Sequence, residues 1–140
     1  MTVSLQDFNT IARPDWCPGC GDFGIQVAVK QALLNLQIEP HNIAISCGIG
    51  CSSKLTHWVD TYGFHGLHGR SLPPAVAIKF ANPKLTVLAD GGDGDGYGIG
   101  IGHLIHTMRR NVDITYIMLD NSTYGLTKGQ ASPTTGKNSW

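Results

Sequence analysis

A chain of 140 residues with a formal net charge of zero can bury one sizeable core, so one domain is expected. No basic patch favours nucleic acid as a partner, and no apolar stretch approaches the length of a membrane span. Residues 1–7 lack the basic and apolar regions of a secretory signal, which predicts a cytoplasmic protein. Residues 132–140 have the composition of a loop, so we expect a single domain over 1–140 that is truncated on its C-terminal side.

The first helix is preceded by an irregular lead over residues 1–22. The stretch from Arg13 to Cys20 is too rich in turn-forming residues for a helix or strand. Asp22 is expected to cap a helix that runs to about Ile38. Its apolar residues have the three-to-four spacing of a buried stripe: Ile25, Ala28, Val29, Ala32, Leu33 and Leu36.

The rest of the chain alternates short apolar runs with helical patterns. In chain order, the expected elements are strand 42–46, a helical turn at 54–59, a loop at 63–70, helix 73–80, strand 85–89, helix 97–110 and strand 114–119. The helix at 97–110 carries one apolar face: Ile101, Leu104, Ile105 and Met108. Strand–helix–strand units make a parallel sheet with right-handed crossovers, so the predicted fold class is α/β, with helices flanking a parallel sheet.

A glycine-rich acidic loop at 89–96 follows one predicted strand and contains Asp93 and Asp95. Asn121 follows the next strand, 28 positions after Asp93. Glycines let backbone N–H groups approach phosphate oxygens, and the helix that follows adds its positive end. Mg²⁺ accepts carboxylate, amide and diphosphate oxygens together. Since ligands bind outside the carboxyl ends of parallel strands, the pattern predicts a diphosphate held through a divalent metal.

This loop has two alternative interpretations. A nicotinamide site is disfavoured, because residues 91–102 contain no Gly-x-Gly-x-x-Gly register. A structural glycine-rich turn with solvated acids is the simpler alternative. It is disfavoured because the loop and Asn121 both lie at the ends of predicted buried strands.

Four cysteines have the spacing of metal ligands: Cys17, Cys20, Cys47 and Cys51. One hypothesis is a structural zinc site that uses all four. A second is an iron–sulfur cluster held by Cys17, Cys20 and one or both of the others. A thioredoxin-like redox pair fits least, because such a pair begins the helix of a strand–helix unit and this one lies in an irregular lead. Spacing alone does not separate zinc from iron–sulfur.

Five motifs together resemble the β subunit of 2-oxoacid:ferredoxin oxidoreductases, the subunit that binds thiamine diphosphate. In chain order they are WCPGCG at 16–21, GCSS at 50–53, LHGR at 67–70, GDGD at 92–95 and NSTYGLTKGQ at 121–130. The resemblance runs from Trp16 to Thr135 and implies the thiamine diphosphate-binding fold. The Leu-Thr-Lys-Gly-Gln run resembles relatives that act on 2-oxoglutarate or on a broad set of 2-oxoacids.

The resemblance also implies two sets of metal ligands. Asp93 and Asn121 would bind Mg²⁺ through their side chains, and Thr123 would bind it through its backbone carbonyl. A [4Fe-4S] cluster would be held by Cys17, Cys20 and Cys51, with a fourth family ligand in the C-terminal half. Cys47 has no ligand counterpart and is expected to be a small buried side chain. The other implied cofactor-binding residues are Ser52, Ser53, His68, Gly69, Arg70, Gly92, Gly94, Asp95, Gly125, Leu126 and Thr127, besides Cys51 itself.

The implied reaction is oxidative decarboxylation of a 2-oxoacid to an acyl-coenzyme A, with electrons passed through the cluster to ferredoxin. Lys128 is the catalytic candidate, because a cation there could meet a substrate carboxylate; relatives that favour pyruvate often have glycine instead. Glu39 is the chain's single glutamate and lies at a helix end. An α subunit is therefore expected to supply the glutamate that activates thiamine. Two alternatives remain: a non-catalytic zinc-binding module, and a non-redox thiamine diphosphate decarboxylase subunit.

Overall fold

The computed structural model describes residues 2–137, and a parallel sheet lies at its centre. Its strands are β1 (Ile43–Cys47), β2 (Tyr62–His65), β3 (Thr86–Gly92) and β4 (Thr115–Leu119), in the spatial order β2-β1-β3-β4. All three strand pairs are parallel. The predicted α/β class with a parallel sheet is confirmed.

The helices are α1 (Asp22–Asn35), α2 (Leu55–Trp58), α3 (Leu72–Ala81) and α4 (Ile101–Arg110). Short 3₁₀ turns occur at Leu5–Phe8 and Pro40–Asn42, and a π-helical segment, Gly94–Ile99, joins β3 to α4. A small antiparallel hairpin, β5 (Thr123–Tyr124) with β6 (Gln130–Ala131), follows β4. Among the helices of residues 2–137, none has the length and hydropathy that crossing a bilayer requires.

The core consists of two hydrophobic clusters that β3 separates. Along this strand, Val87 and Ala89 belong to the cluster formed with α3 and α4, and Leu88 belongs to the cluster formed with α1 and α2. Successive side chains of a strand point to opposite faces of the sheet, so β3 contributes to both clusters. Each apolar side chain buried in this way contributes about 1.5–3 kcal/mol. Burial on both faces therefore fixes the register of the sheet and the position of the loops at its carboxyl edge.

The prediction of a loop over 63–70 was wrong for residues 63–65, because residues 62–65 form β2, and it holds for residues 66–70. This strand pairs in parallel with β1, from Ala44 opposite Tyr62 to Cys47 opposite His65. All four of its residues are exposed, as the strand lies at the edge of the sheet. An edge strand without a buried face shows no hydrophobic alternation. The sequence signal for β2 was its pair of aromatic residues, Tyr62 and Phe64, since aromatic residues are enriched in strands.

The first helix also differs from the prediction at both ends. Asp22 is its first residue, and Gly21 is the N-cap, so the predicted capping role was wrong by one position. The helix ends at Asn35, three residues before Ile38. Gln37 adopts a left-handed conformation with φ of 52°, which an α-helix cannot continue through.

The predicted helix over 97–110 is divided in two. Residues 94–99 are π-helical, and the regular helix begins only at Ile101. Of the predicted apolar face, Leu104 is buried, while Ile105 and Met108 are more than half exposed. The alternating glycines at 94–102 allow the chain to wind more widely before α4 begins.

Candidate functional site

A cavity of about 430 Å³ opens at the carboxyl edge of the sheet. Its walls come from the segments that follow all four strands and from the lead. The residues at or beyond the ends of β1 to β4 that line the cavity are Ile49–Ser52, His68, Gly92–Asp95 and Leu119–Asn121. The other lining residues are Asp15–Cys17, Cys20–Asp22, Ile25, Lys54 and Thr123–Thr127. This is the position at which open α/β sheets bind their ligands.

Asp93 and Asn121 come together because β3 and β4 are neighbours. Gly92 lies opposite Leu119 in the ladder, so the residues just beyond the two strand ends reach the same cavity. The backbone N–H of Asn121 points to Asp93 Oδ1 at 3.5 Å. The Asn121 side-chain oxygen accepts a hydrogen bond from the Thr123 N–H at 3.2 Å, which fixes the turn into β5. Both residues therefore line one cavity, and their shared role as metal ligands stays a prediction.

The Asp93 carboxyl is buried, yet hydrogen bonds keep it ionised. Burial raises the pKa of this group, but hydrogen bonds from Ser132, Thr134 and the Asn121 N–H outweigh it, so the pKa lies below its usual value. The Thr134 hydroxyl lies 2.8 Å from Asp93 Oδ2 and 2.8 Å from Asp120 Oδ1, and its one hydrogen can serve either carboxylate. An ionised, oriented carboxylate is a suitable ligand for a divalent cation.

Asp95 ties together the loops that follow β1, β2 and β3. Its Oδ1 accepts hydrogen bonds from the Ile49 N–H at 2.9 Å, the Gly69 N–H at 2.8 Å and His68 Nδ1 at 2.7 Å. The residue is 2% exposed. Asp95 therefore lies beneath the cavity as an anchor for the loops that form its walls.

The cysteines divide into two groups. Cys17, Cys20 and Cys51 line the cavity, and the Trp16 indole N–H donates to the Cys51 carbonyl at 2.6 Å, which joins the lead to the loop after β1. Cys47 is fully buried and contacts Asp90, as predicted for a small core side chain. Within residues 2–137, no three Cys, His, Asp or Glu side chains converge into a group that could hold a metal ion. Cys47 does not line the cavity, so the four cysteines do not share one site in this part of the chain.

A family model described as thiamine pyrophosphate enzyme, C-terminal TPP-binding domain, matches residues 48–140. The chain belongs to the thiamine pyrophosphate enzyme family. The match begins just after β1 and so includes the acidic loop, Asn121 and the β5–β6 hairpin.

Relatives of this thiamine pyrophosphate enzyme chain are β subunits of 2-oxoacid:ferredoxin oxidoreductases, which confirms the predicted resemblance. The β subunit of 2-oxoacid:ferredoxin oxidoreductase 2 from Aeropyrum pernix is 52% identical over 96% of this chain and 43% of its own length. The 2-oxoglutarate oxidoreductase subunit KorB from Mycobacterium tuberculosis is 44% identical over 92% of this chain and 35% of its own. The chain spans about two fifths of the length of the first of these relatives.

A solved structure is also similar. It is a 2-oxoglutarate:ferredoxin oxidoreductase from Magnetococcus marinus with 2-oxoglutarate, coenzyme A and succinyl-CoA bound. The TM-score is 0.91 at 46% identity, over 94% of this chain and 45% of that one.

Thiamine diphosphate with Mg²⁺ fits the residues present. An ionised carboxylate and an amide oxygen meet at the cavity, which is the donor set that Mg²⁺ binds beside a diphosphate. Gly94 lines the cavity, and a Cβ there would collide with the Tyr124 ring, so the close packing of this ring requires glycine. The three cavity cysteines are the type of ligand that holds an iron–sulfur cluster. To bind a [4Fe-4S] cluster they would have to lie closer together, and a fourth ligand would be required.

Several predicted site residues lie away from the cavity wall. Ser53 and Gly69 are buried behind it, and Arg70 is exposed. Lys128 is exposed in the loop that follows the lining residue Thr127. Two contributors were missed by the sequence analysis: Thr134, which holds Asp93, and Tyr124, whose hydroxyl donates to the Gly94 carbonyl at 3.2 Å. Tyr124 lies inside a recognised motif, whereas Thr134 had no sequence signal beyond its place in the final loop.

Proposed function

We propose that this chain is part of the β subunit of a 2-oxoacid:ferredoxin oxidoreductase. The observation that carries the proposal is one cavity that joins Asp93 and Asn121 to three cysteine thiols. A non-redox decarboxylase has no use for those thiols, and a structural zinc module has no use for an ionised carboxylate beside an open cavity. The solved relative with 2-oxoglutarate and coenzyme A bound supports the same reaction class.

The proposed reaction converts a 2-oxoacid and coenzyme A to acyl-coenzyme A, CO₂, one proton and two electrons. The carbon–carbon bond to the carboxylate breaks, a thioester bond forms, and the thiol proton is released. Ferredoxin is the proposed acceptor of the electrons. Thiamine diphosphate, when bound, supplies the centre that stabilises the developing carbanion.

This chain's own share is to hold the cofactors. Asp93 and Asn121 would bind Mg²⁺ through their side chains, and Thr123 would bind it through its carbonyl. Cys17, Cys20 and Cys51 would hold a [4Fe-4S] cluster, with the fourth ligand supplied from outside this segment. Electrons released in the cavity would then have an acceptor on its wall.

An α subunit is the proposed source of the activating glutamate. Glu39 immediately precedes the 3₁₀ turn that leads into β1, so it lies at the amino end of the strands, opposite the cavity. Its carboxylate lies 3.3 Å from His41 Nε2 on the surface. No other glutamate occurs in residues 1–140, so the group that activates the aminopyrimidine would come from outside this segment, and the α subunit is its proposed source.

Lys128 is the proposed determinant of substrate choice. It has φ of 70°, a left-handed conformation that costs a non-glycine residue about 1–2 kcal/mol, and it follows the cavity-lining residue Thr127. Lys128→Gly is expected to lower kcat/KM for 2-oxoglutarate about 10- to 100-fold, the loss of one charged hydrogen bond, and to leave pyruvate little changed. Viologen reduction with the two acids in parallel measures this.

The control for Lys128 is a variant that removes the charge but keeps the side-chain length. Lys128→Met should lose 2-oxoglutarate activity as Lys128→Gly does, because both remove the cation. If both variants retain the same preference as the native enzyme, Lys128 does not read the second carboxylate of the substrate.

The proposed function is tested by expressing the full-length chain with its neighbouring subunit and purifying the complex without oxygen. A brown complex that contains iron, acid-labile sulfide and thiamine, and that reduces viologen when given a 2-oxoacid and coenzyme A, is the expected result. A colourless complex with one equivalent of zinc and no thiamine uptake would instead identify a structural metal module.

A further inference from the structure

A groove of about 410 Å³ lies beside α1, and the lead separates it from the cavity. Its walls are formed by Leu5, by residues 9–14 and by three residues of α1: Gln26, Val27 and Lys30. Pro14 lines the groove, and the next residue, Asp15, lines the cavity. The segment that carries Cys17 therefore has the groove on one side and the cavity on the other. A molecule in the groove would lie next to this segment without entering the cofactor site.

The groove carries positive charge that no acid balances. Arg13 and Lys30 line it, and none of its lining residues is acidic. The acids nearest in the chain already have partners. Asp7 caps the first 3₁₀ turn, and Asp15 forms an ion pair with Lys54 at 2.9 Å. The groove is therefore suited to a negatively charged partner.

Lys30 is a buried cation with an incomplete set of partners. The residue is 8% exposed, and its Nζ donates one hydrogen bond, to Asn9 Oδ1 at 3.0 Å. It forms no ion pair with a carboxylate of residues 2–137. An ammonium group has three hydrogens to donate, and buried charges are normally paired. Burial also lowers the pKa of Lys30, and a carboxylate in the groove would offset that cost.

Exposed apolar side chains lie beside these cations. Ile11 projects from the lead, and Phe23 and Val27 lie four residues apart on one face of α1. The Phe23 ring also contacts Trp16, with ring centroids 5.3 Å apart, and so connects this patch to the segment that bears the cysteines. An apolar centre with a charged rim is the usual composition of a protein–protein interface.

We propose that the groove is the docking site of an acidic ferredoxin, which takes the electrons from this subunit. The inference rests on the proposed function, in which three cysteines hold the cluster. A carboxylate of the carrier would complete the partners of Lys30, a second would pair with Arg13, and the apolar patch would be covered. Electron transfer slows steeply with distance, so the carrier has to bind against the segment that bears the donor. The groove lies along that segment.

The α subunit fits this groove less well than an electron carrier does. Its proposed task is to place a glutamate in the cavity, and the lead lies between the cavity and the groove. Permanent subunit interfaces bury about 2,000 Å² or more, whereas electron-transfer encounters bury less than about 1,200 Å². Three apolar side chains and two cations match the smaller class, in which complementary charge speeds association.

The first test is Arg13→Glu in the full-length complex. We expect kcat/KM for an acidic ferredoxin with two [4Fe-4S] clusters to fall about 10- to 100-fold at low ionic strength, because charge that steered the carrier now repels it. The loss should shrink at about 1 M salt, where the screening length is about 3 Å. Calorimetry should show the same loss in the affinity for ferredoxin. The kcat with viologen should be unchanged, since this small dye needs no docking surface.

The matched control is Lys84→Glu, which changes the net charge by the same amount. Lys84 is exposed in the turn before β3, at the amino end of the sheet. This variant should bind and reduce ferredoxin as the native complex does. A loss equal to that of Arg13→Glu would mean that net charge, and not the groove, governs the encounter.

Lys30→Met tests the buried cation at constant side-chain length. We expect the affinity for ferredoxin to fall about 10- to 100-fold, the loss of one charged hydrogen bond. The thermal unfolding temperature of the complex should not fall, because the substitution removes a buried charge that lacks a counter-ion. A lysine with a purely structural role would give the reverse: lower stability and unchanged affinity for ferredoxin.

The outcomes separate this inference from the proposed function. If the native complex reduces no viologen when given a 2-oxoacid and coenzyme A, the proposed function fails. If the native complex is active and Arg13→Glu binds ferredoxin as Lys84→Glu does, the docking site is wrong. Loss of the α subunit or of viologen reduction in Arg13→Glu would also overturn it, because the groove would then be covered within the complex itself.

Discussion

Asp93→Ala is expected to abolish magnesium-dependent uptake of thiamine diphosphate by the full-length complex. The carboxylate is buried at the end of β3 and kept ionised by hydrogen bonds, so its negative charge is available to a cation. Replacing an outer-sphere partner of a metal ligand costs about 10- to 100-fold in affinity, so removal of the ligand itself should cost at least about 100-fold. Calorimetric titration with thiamine diphosphate, at several Mg²⁺ concentrations, measures the change.

The fold should survive this substitution. Thr134 loses one acceptor but keeps Asp120 Oδ1 at 2.8 Å, so its hydroxyl is not left unpaired. Thr134→Val, which removes that hydroxyl at constant shape, should weaken uptake by the smaller factor of about 10- to 100-fold. Asp113→Ala is the matched control, since this acid is 90% exposed and pairs with Lys79 on the surface. It should bind as the native complex does.

A different ranking would exclude Asp93 as a metal ligand. If Asp93→Ala binds thiamine diphosphate with the same magnesium dependence as Asp113→Ala, the acidic loop has a structural role only. If both Asp93→Ala and Thr134→Val fold but bind normally, the cation must be held elsewhere in the complex.

The position of the site could be predicted from the sequence because it depends on strands that are buried. β1, β3 and β4 appear as apolar runs, and the rule that ligands bind at carboxyl ends then places Asp93 and Asn121 together. β2 could not be predicted in the same way, because an exposed edge strand carries no periodic signal. Its loop nevertheless delivers His68 to the cavity.

Contacts between residues far apart in the chain could not be predicted. Thr134 meets Asp93 across 41 positions because the β5–β6 hairpin turns the final loop back over β3. His68 meets Asp95 across 27 positions because β2 and β3 flank the same strand. Periodicity reports which face of an element is buried, whereas these pairs depend on how two loops approach each other in space.

Asp90 is a third buried acid, and its contacts arise only from the fold. It lies in β3 directly opposite Cys47 of β1, and the thiol contacts its Oδ1. The residue is fully buried, and its Oδ2 has no hydrogen-bond partner among residues 2–137. Burial raises the pKa of Asp90 to about 7, although the hydrogen bond from Cys47 acts in the opposite direction. Burial also raises the pKa of the Cys47 thiol, which therefore stays protonated as the donor.

The raised pKa makes stability depend on pH in a definite direction. In the unfolded chain, Asp90 ionises near its usual value of 3.8, while in the folded chain it holds its proton up to about 7. The folded state therefore binds the extra proton between these values, and the free energy of unfolding falls as pH rises through this window. Above about pH 7 the buried carboxylate costs roughly 4 kcal/mol, at 1.36 kcal/mol for each pKa unit.

Asp90→Asn should remove this cost while keeping the shape of the side chain. At pH 8.5 the variant is expected to be about 2–4 kcal/mol more stable than the native chain, because its amide is neutral. At pH 4 this gain should be absent, since the native carboxyl is then protonated and as neutral as the amide, and the amide places two N–H donors in the core where the carboxyl places one O–H. Urea unfolding of the full-length chain at both pH values measures the difference, with exposed Asp60→Asn as the control. An equal gain at both pH values would mean that packing, and not ionisation of Asp90, accounts for the effect.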